Sequence, residues 1–518
     1  MAVEKRVNAE PNEEPKRQHT PVTRHGKPLK VLFVASEVAP FRKTGGLADV
    51  VGALPKALAE RGMDVRVVMP LYGGVRWDEL ERLDGSLVVP MYTGLVRAGV
   101  RLGRLPGSDV RIYFIEHHRF FDRPYLYGPP GDAYDDNLER FTFFSRAAVE
   151  LCNAIGFIPD VLHAHDWQAA LVPVYANTVE WGKPLHGSAS VFTIHNLAYQ
   201  GVFAPGALFI TGLGWEHLNP NEFEHFGAMN LMKAAIVHST LLTTVSPTYC
   251  REIQTGAFGY GLDGMLSGRG ADLGGILNGI DTSEWNPATD KHLPARYSRT
   301  DMANKAECKA ALQRELGLPV EPNVPLFAVI GRLTHQKGFD VLAHCMQELL
   351  QWNLQIALLG TGDADAEHYF SELSWSRGDK FRAVIGFNDP LAHRIEAASD
   401  FFIMPSRFEP CGLNQMYSLR YGSVPIVRRT GGLNDTVENY DQHNDAGTGF
   451  VFDDLTVEGL RNTIGWALST YHDRPQHYRS MQQRGMQRDF SWQRAAEHYE
   501  GTYLHAFQRR RGYPFPTP

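Results

Sequence analysis

Residues 405–432 read PSRFEPCGLNQMYSLRYGSVPIVRRTGG, and their order of turn, helical and apolar segments decides the fold. The apolar run just before them, 401–404, has the length and character of a buried strand. A sharp turn with Pro405, Glu409, Pro410 and Gly412 follows. The next segment is helical in pattern to Tyr421, is closed by Gly422, and gives way to a second apolar run at 424–427. Strand, loop, helix, strand is the layout of a parallel α/β unit. Ligands of such sheets bind beyond the carboxyl ends of the strands. Glu409 stands at such an end, at the start of a helix. It is either a capping acid on an exposed loop or an acceptor for ligand hydroxyls, beside helix amides that face an anion.

The same rhythm runs through the preceding residues. A strand at 326–330 ends in Gly331 and Arg332, and Lys337 and Gly338 precede a helix to about 352. Further strands fall at 354–359, 383–385 and 400–404. Arg332 and Lys337 are either two surface charges or a pair that neutralises a pyrophosphate, since they flank another strand end. Asp363-Ala364-Asp365 follows Gly360-Thr361-Gly362 at a helix start, where capping explains it better than a metal. Phe387, after the strand ending at 385, is either core or a platform for a nucleobase.

An earlier α/β series begins at Lys30. A strand at 30–36 leads into a loop with Lys43, Gly45 and Gly46; Asp49 then opens a helix that Gly62 ends, before a strand at 64–69. Two glycines let backbone amides approach a ligand, and the helix start favours an anion, although the unit lacks GxGxxG. Residues 75–125 read as short strands and turns. Asp135, Asp136 and Asn137 precede a helix, where one acid is expected to cap. Residues 159–167 (PDVLHAHDW) form a strand that puts His163 and His165 on one face. A ligand-binding strand end fits better than a metal, because no further ligand is placed locally. Strands at 190–194, 243–246 and 274–277 continue the series, and the first and last run into polar ends at 195–201 and 278–280. The pattern weakens over 283–324, so the crossing between domains is placed there.

These readings predict an α/β protein of two doubly wound, Rossmann-like domains facing each other across a cleft. The divisions are 1–29 a disordered tail, 30–290 the first domain, 291–490 the second, and 491–518 a helix returning to the first domain, then a tail. The 518 residues, 43% hydrophobic and 21% charged, suit a globular chain of this size. A net charge of -7 argues against a nucleic-acid partner. No apolar run is long enough to span a membrane, and the polar first 29 residues lack an apolar signal core. Five scattered cysteines without CxxC suit a reducing, cytoplasmic setting, and Cys411 is expected to be an unreactive loop or core thiol.

Taken together, the motifs resemble the bacterial glycogen and starch synthase family of glycosyltransferases. The matching pieces are residues 43–49 (KTGGLAD), 163–167 (HAHDW), 195–201 (HNLAYQG), 278–281 (NGID), Arg332 with Lys337, and 405–432. They occur in family order over about residues 30–507. The resemblance implies a GT-B fold and transfer of glucose, usually from ADP-glucose, with UDP-glucose possible. The acceptor is the 4-hydroxyl at the non-reducing end of an α-1,4-glucan, and anomeric configuration is retained. No metal or other cofactor is implied.

It also assigns roles. Arg332 and Lys337 would clamp the diphosphate and stabilise its departure. His165 would contact the transferred glucose, and Glu409 would hold its hydroxyls or stabilise positive charge on the ring. Gly45 and Gly46 would offer amides, with Lys43 nearby, and Phe387 would stack on the base. Asp49, Asp136, Asn196, Tyr199, Gln200, Asn278, Cys411, Gly412, Leu413, Tyr417, Thr430, Gly431 and Gly432 complete the implied contacts. Tyr417 stands where wider relatives carry a second glutamate, which leaves the ribose contact open. Rival readings are a glucan phosphorylase-like enzyme, which would carry pyridoxal phosphate, a catalytically silent glucan-binding protein, and a Rossmann-type oxidoreductase, which the missing GxGxxG opposes.

Overall fold

The computed structural model describes residues 27–129 and 131–516. Residues 1–26, most of the expected tail, lie outside the described residues; Leu29 is already buried, so order begins before Lys30. The fold class is the one the strand-and-helix rhythm predicts: two α/β units, each a sheet flanked by helices.

The first sheet has ten strands. Its parallel part runs, in spatial order, Leu273–Gly275, Leu241–Thr244, Ala189–Ile194, Val161–His165, Lys30–Val34, Asp64–Pro70 and Arg111–Glu116. The chain builds outward from Lys30–Val34 in one direction, then returns to its other side at Val161–His165. The expected mixed region becomes an antiparallel edge, with Leu87–Met91 and Gly94–Arg104 folded onto Arg111–Glu116. The second sheet is wholly parallel, in the order Phe381–Ile385, Gln355–Gly360, Leu326–Ile330, Phe401–Met404, Val424–Arg428, Phe450–Phe452. It too reverses direction, between Leu326–Ile330 and Phe401–Met404. Each reversal is a topological switch point, where adjacent loops diverge and leave a crevice at the strand carboxyl ends.

The strands explain themselves: Val31, Phe33, Ile356, Leu358, Phe401 and Ile403 are almost completely buried, as expected of parallel strands covered on both faces. Two elements were not anticipated. A helix, Lys305–Leu316, lies within the supposed crossing stretch, and a three-stranded sheet (Val202–Phe203, Glu224–His225, Ala228–Asn230) interrupts the first domain.

Two passages of chain between the domains run side by side. Ile280 N–H donates to the Phe490 carbonyl at 2.8 Å. The last helix, Trp492–Arg511, then packs on helix Gly46–Glu60 and strand Ala189–Ile194. Tyr503 on it shares a 2.7 Å hydrogen bond with His163, and Glu500 accepts from Arg61 at 2.7 Å.

Candidate active site

The switch point of the second sheet places two sequence-predicted residues in contact. Lys337 comes from the loop after Leu326–Ile330, and Glu409 from the loop after Phe401–Met404. Lys337 Nζ lies 2.6 Å from Glu409 Oε2, and Ser406 Oγ donates to the same oxygen at 3.1 Å. The Glu409 side chain is only 6% exposed, and Lys337 supplies its counter-charge. Gly338, at φ 73°, lets the first loop press its backbone against the Pro405 carbonyl. Arg407 joins the loops again: its N–H donates to the Gln336 carbonyl at 2.8 Å, and its guanidinium grips Asp340 at 2.6 and 2.7 Å. Those guanidinium bonds, ahead of the opposing burial, hold the Asp340 carboxyl below its usual range. Arg332 is exposed in the same loop, and among the described residues its guanidinium has no ion-pair partner. One expectation is corrected: Glu409 is not at a helix start. The helix is Asn414–Tyr421, so Glu409 sits in the loop and owes its position to Lys337 and Ser406.

The switch point of the first sheet lies between Lys30–Val34 and Val161–His165, and again the diverging loops carry predicted residues. Glu37, nearly buried, accepts from Thr44 N–H at 2.5 Å, Thr44 Oγ at 2.6 Å and Tyr127 OH at 2.6 Å, which shapes the loop holding Lys43. Lys43 pairs with Asp49 at 2.7 Å. Burial pushes the Asp49 carboxyl up against that attraction. The helix begins at Gly46, with Gly45 as its extended N-cap. A side chain at either glycine would meet nothing within 4 Å, so both face open space.

His165 is fully buried and packs on Phe33 at 5.3 Å. Its Nδ1 lies 3.0 Å from His195 Nε2, while its own Nε2 has no hydrogen-bond partner among the described residues. Burial first, then His163 and His195, hold its pKa well below the usual value, so the ring is neutral. An unpartnered buried ring nitrogen at a strand end is what a ligand hydroxyl can satisfy. Asp166, in the left-handed region at φ 54°, accepts from His195 N–H at 2.7 Å, and burial pushes its carboxyl up to about 7. His163 is committed: Nδ1 to Tyr503 OH at 2.7 Å and Nε2 to Thr193 Oγ at 2.6 Å. It has no nitrogen left for a metal.

The two sites belong to one cleft because the loops after 404 and after 428 dock on the first domain. Ser246 Oγ donates to the Pro410 carbonyl at 2.7 Å. Glu252 accepts from Thr430 Oγ and Gly431 N–H, both at 3.0 Å. Thr248 bonds Asp435 through N–H at 2.8 Å and Oγ at 2.7 Å. Gly431, at φ 44°, and Gly432 have no room for side chains, since a Cβ would meet the Glu409 and Cys411 carbonyls at 1.9 and 2.0 Å. Gly412 is also left-handed, at φ 71°; Leu413 and Thr430 stand at the N-cap positions of Asn414–Tyr421 and Gly431–Thr436, neither with a side-chain cap.

Other predicted residues have varied settings. Asn278 is buried beside Cys411, and its Oδ1 has no hydrogen-bond partner among the described residues. Asp136 does not cap its helix: its carboxylate takes two bonds from Arg123, at 2.8 and 2.5 Å. Burial opposes these bonds but loses, and the Asp136 pKa is lowered. Asp363 likewise makes no side-chain cap; Glu367 reaches back to Gly362 N–H at 2.8 Å instead. Asn196 closes a local turn onto Ala198 N–H, and Tyr199 is exposed. The Gln200 amide is committed to Leu197, Tyr260 and Asn230. Phe387 is 83% exposed, which removes it from the core. Tyr417 is buried in a stack on Trp285, at 3.8 Å between rings.

Cys411 is buried, and burial pushes its thiol up to about 12. All five cysteines are buried and free. At about pH 8 a disulfide reagent is attacked only by thiolates. It is expected to register none of the five in the native protein and all five after unfolding.

Sequence reasoning missed Glu37, Ser246, Glu252 and Trp285. Ser246-Pro247 is a legible helix start, and Ser246 does cap Tyr249 N–H. Nothing local announces that its partner, or that of Glu252, lies in the other domain.

The starch synthase catalytic domain family matches residues 30–268, and glycosyl transferases group 1 matches residues 312–488. "Glycogen synthase 1" of Geobacter sulfurreducens is 50% identical over 488 residues, covering 93% of this chain and 97% of its own. "Glycogen synthase" of Anaeromyxobacter sp. (strain Fw109-5) is 50% identical over 478 residues, covering 92% and 99%. Among solved structures, the catalytic domain of starch synthase IV from Arabidopsis thaliana, bound to ADP and acarbose, superposes with a TM-score of 0.86 at 36% identity, covering 93% of this chain and all of that one. Sucrose-phosphate synthase from Thermosynechococcus elongatus, at 17% identity and TM-score 0.58, shares the fold.

Proposed function

The chain belongs to the glycogen and starch synthase family of GT-B glycosyltransferases, and from that premise we propose that it transfers glucose from ADP-glucose to the non-reducing 4-hydroxyl of an α-1,4-glucan with retention. The observation that carries this reading is the Lys337–Glu409 pair at the second switch point, docked through Pro410 onto the domain that holds the unpartnered His165 nitrogen. Lys337, with the exposed Arg332, supplies positive charge for a diphosphate. Glu409 and His165 supply a carboxylate and a ring nitrogen for a hexose. Gly45 and Gly46 leave space for the donor beside Lys43.

The reaction needs positioning and electrostatics more than a nucleophile. In the proposed step the bond from the anomeric carbon to the diphosphate oxygen breaks as the acceptor oxygen bonds the same face. The acceptor proton passes to the departing phosphate. Lys337 and Arg332 stabilise the charge that accumulates there, and Glu409 stabilises the positive ring. A competent covalent glucosyl adduct on Glu409 or Asp136 would defeat this front-face course. The five free, buried cysteines support a reducing, cytoplasmic setting.

The test is transfer of radiolabelled glucose from ADP-glucose or UDP-glucose to glycogen by the purified full chain. The expected outcome is label in polymer that β-amylase releases, with ADP-glucose the better donor. Transfer from UDP-glucose alone would overturn the donor assignment, and transfer from neither would overturn the reading.

A further inference from the structure

The chain crossing between the domains is fastened to the second domain by an aromatic and polar cluster. Trp285 lies between the rings of His393 and Tyr417, 3.8 Å from each. Asp290 Oδ2 accepts from His393 Nδ1 at 2.7 Å and from Tyr421 OH at 2.6 Å. That carboxylate holds the ring by Nδ1 and turns Nε2 away from it. That Nε2 is buried on a side chain 1% exposed, and it has no hydrogen-bond partner among the described residues.

What faces it is another electron-rich atom. Asp389 Oδ2 lies 3.9 Å away, and a ring nitrogen of His292 joins the group, all ligand atoms within 4.8 Å of one another. At 3.9 Å the ring nitrogen and the carboxylate oxygen are too far apart for a hydrogen bond. Two ligands of a tetrahedral Zn²⁺ at about 2.0–2.2 Å stand roughly 3.3–3.6 Å apart, so small turns of the partly exposed Asp389 and His292 side chains bring the three groups to one ion. Asp290 then has the place of the carboxylate that orients a metal-bound histidine.

We propose that His292, Asp389 and His393 form a structural site for a divalent transition metal, Zn²⁺ by preference, with solvent as a further ligand. Two imidazoles and one carboxylate are a donor set that zinc favours. The Asp389 side chain is 50% exposed, which opens the site to an ion from solution. His292 belongs to the crossing segment, while Asp389 and His393 belong to helix Asp389–Ala398. The ion ties one to the other beside the Trp285 stack and takes no part in the transfer. The other His/Glu group, His217, Glu222 and His238, differs in kind. There both histidines already point a nitrogen at Glu222 Oε2, at 2.6 and 3.2 Å, as an ordinary hydrogen-bonded triad.

The experiment uses full-length protein stripped with a chelator, titrated with Zn²⁺ by calorimetry and with Co²⁺ by visible absorption. One equivalent is expected to bind and to raise the unfolding temperature. His292→Ala and Asp389→Asn change partly exposed groups, and their unfolding temperatures without metal check that they fold. Each is expected to weaken binding by at least about 10–100-fold, the loss seen when even an outer partner of a metal site is removed. Absence of a stoichiometric ion, wild-type affinity in both variants, or loss of the ion in Glu222→Gln instead would each overturn the proposal.

Discussion

Lys337→Ala is expected to lower kcat for glucosyl transfer by about 10²–10³, the range for removing one preorganised donor from a developing oxyanion. The ammonium sits 2.6 Å from Glu409 at the mouth of the second switch point, so it faces both the carboxylate and the space where the reading places a diphosphate. Its attraction to the leaving group grows as negative charge accumulates there, which makes it a transition-state interaction rather than uniform binding. The substitution also leaves Glu409 buried without its counter-charge. Breaking a buried pair costs up to about 3–5 kcal/mol, less here because Lys337 is 22% exposed. The two effects separate in the double variant Lys337→Ala/Glu409→Gln. Neutralising the stranded carboxylate should recover unfolding temperature but not turnover. A single variant within a few-fold of wild type, or a double variant that regains turnover, would remove Lys337 from the mechanism.

The strands at 326–330 and 401–404 could be read from their apolar runs, and with them the strand ends that carry Lys337 and Glu409. Pattern alone could not say that these two strands are neighbours across a reversal of sheet order, which is what brings the charges together. That depends on pairing between segments far apart in sequence. The same limit hid Glu252 and Ser246, whose side chains act across the domain gap. Local chemistry misled where a distant partner competed better than the local one. Asp136 and Asp363 stand at helix starts, yet neither caps, because Arg123 takes the first and Glu367 serves the turn at the second. The helix Lys305–Leu316 was hidden by its composition, rich in charge and weakly amphipathic, because Lys305, Lys309 and Gln313 share its buried face with Cys308 and Leu312. Gly45 and Gly46 were legible as a glycine turn into a helix, and a side chain at either would meet nothing within 4 Å.

Gly338→Ala is expected to destabilise the fold and cost about 10² in kcat, although residue 338 has no side chain to offer a substrate. At φ 73° an added Cβ would lie 1.9 Å from the Pro405 carbonyl oxygen, a contact that only backbone movement can relieve. Left-handed strain of about 1–2 kcal/mol and overpacking of about 1–3 kcal/mol together give roughly 2–5 kcal/mol. The movement falls on the two loops that carry Lys337 and Glu409, immediately after the first and four residues before the second. A displacement of about 1 Å in a positioned group can cost about 10²-fold in rate. Gly46→Ala is the control. Its Cβ would meet nothing within 4 Å, and it stands at the first position of a helix. Stability should hold or rise by up to about 0.5–1 kcal/mol, while the methyl group intrudes on space assigned to the donor and raises the donor KM. Unfolding temperature and steady-state kinetics on both variants decide the matter. If Gly338→Ala keeps both its stability and its turnover, the loops are not rigidly coupled, and the short Lys337–Glu409 contact cannot be what holds the site in register.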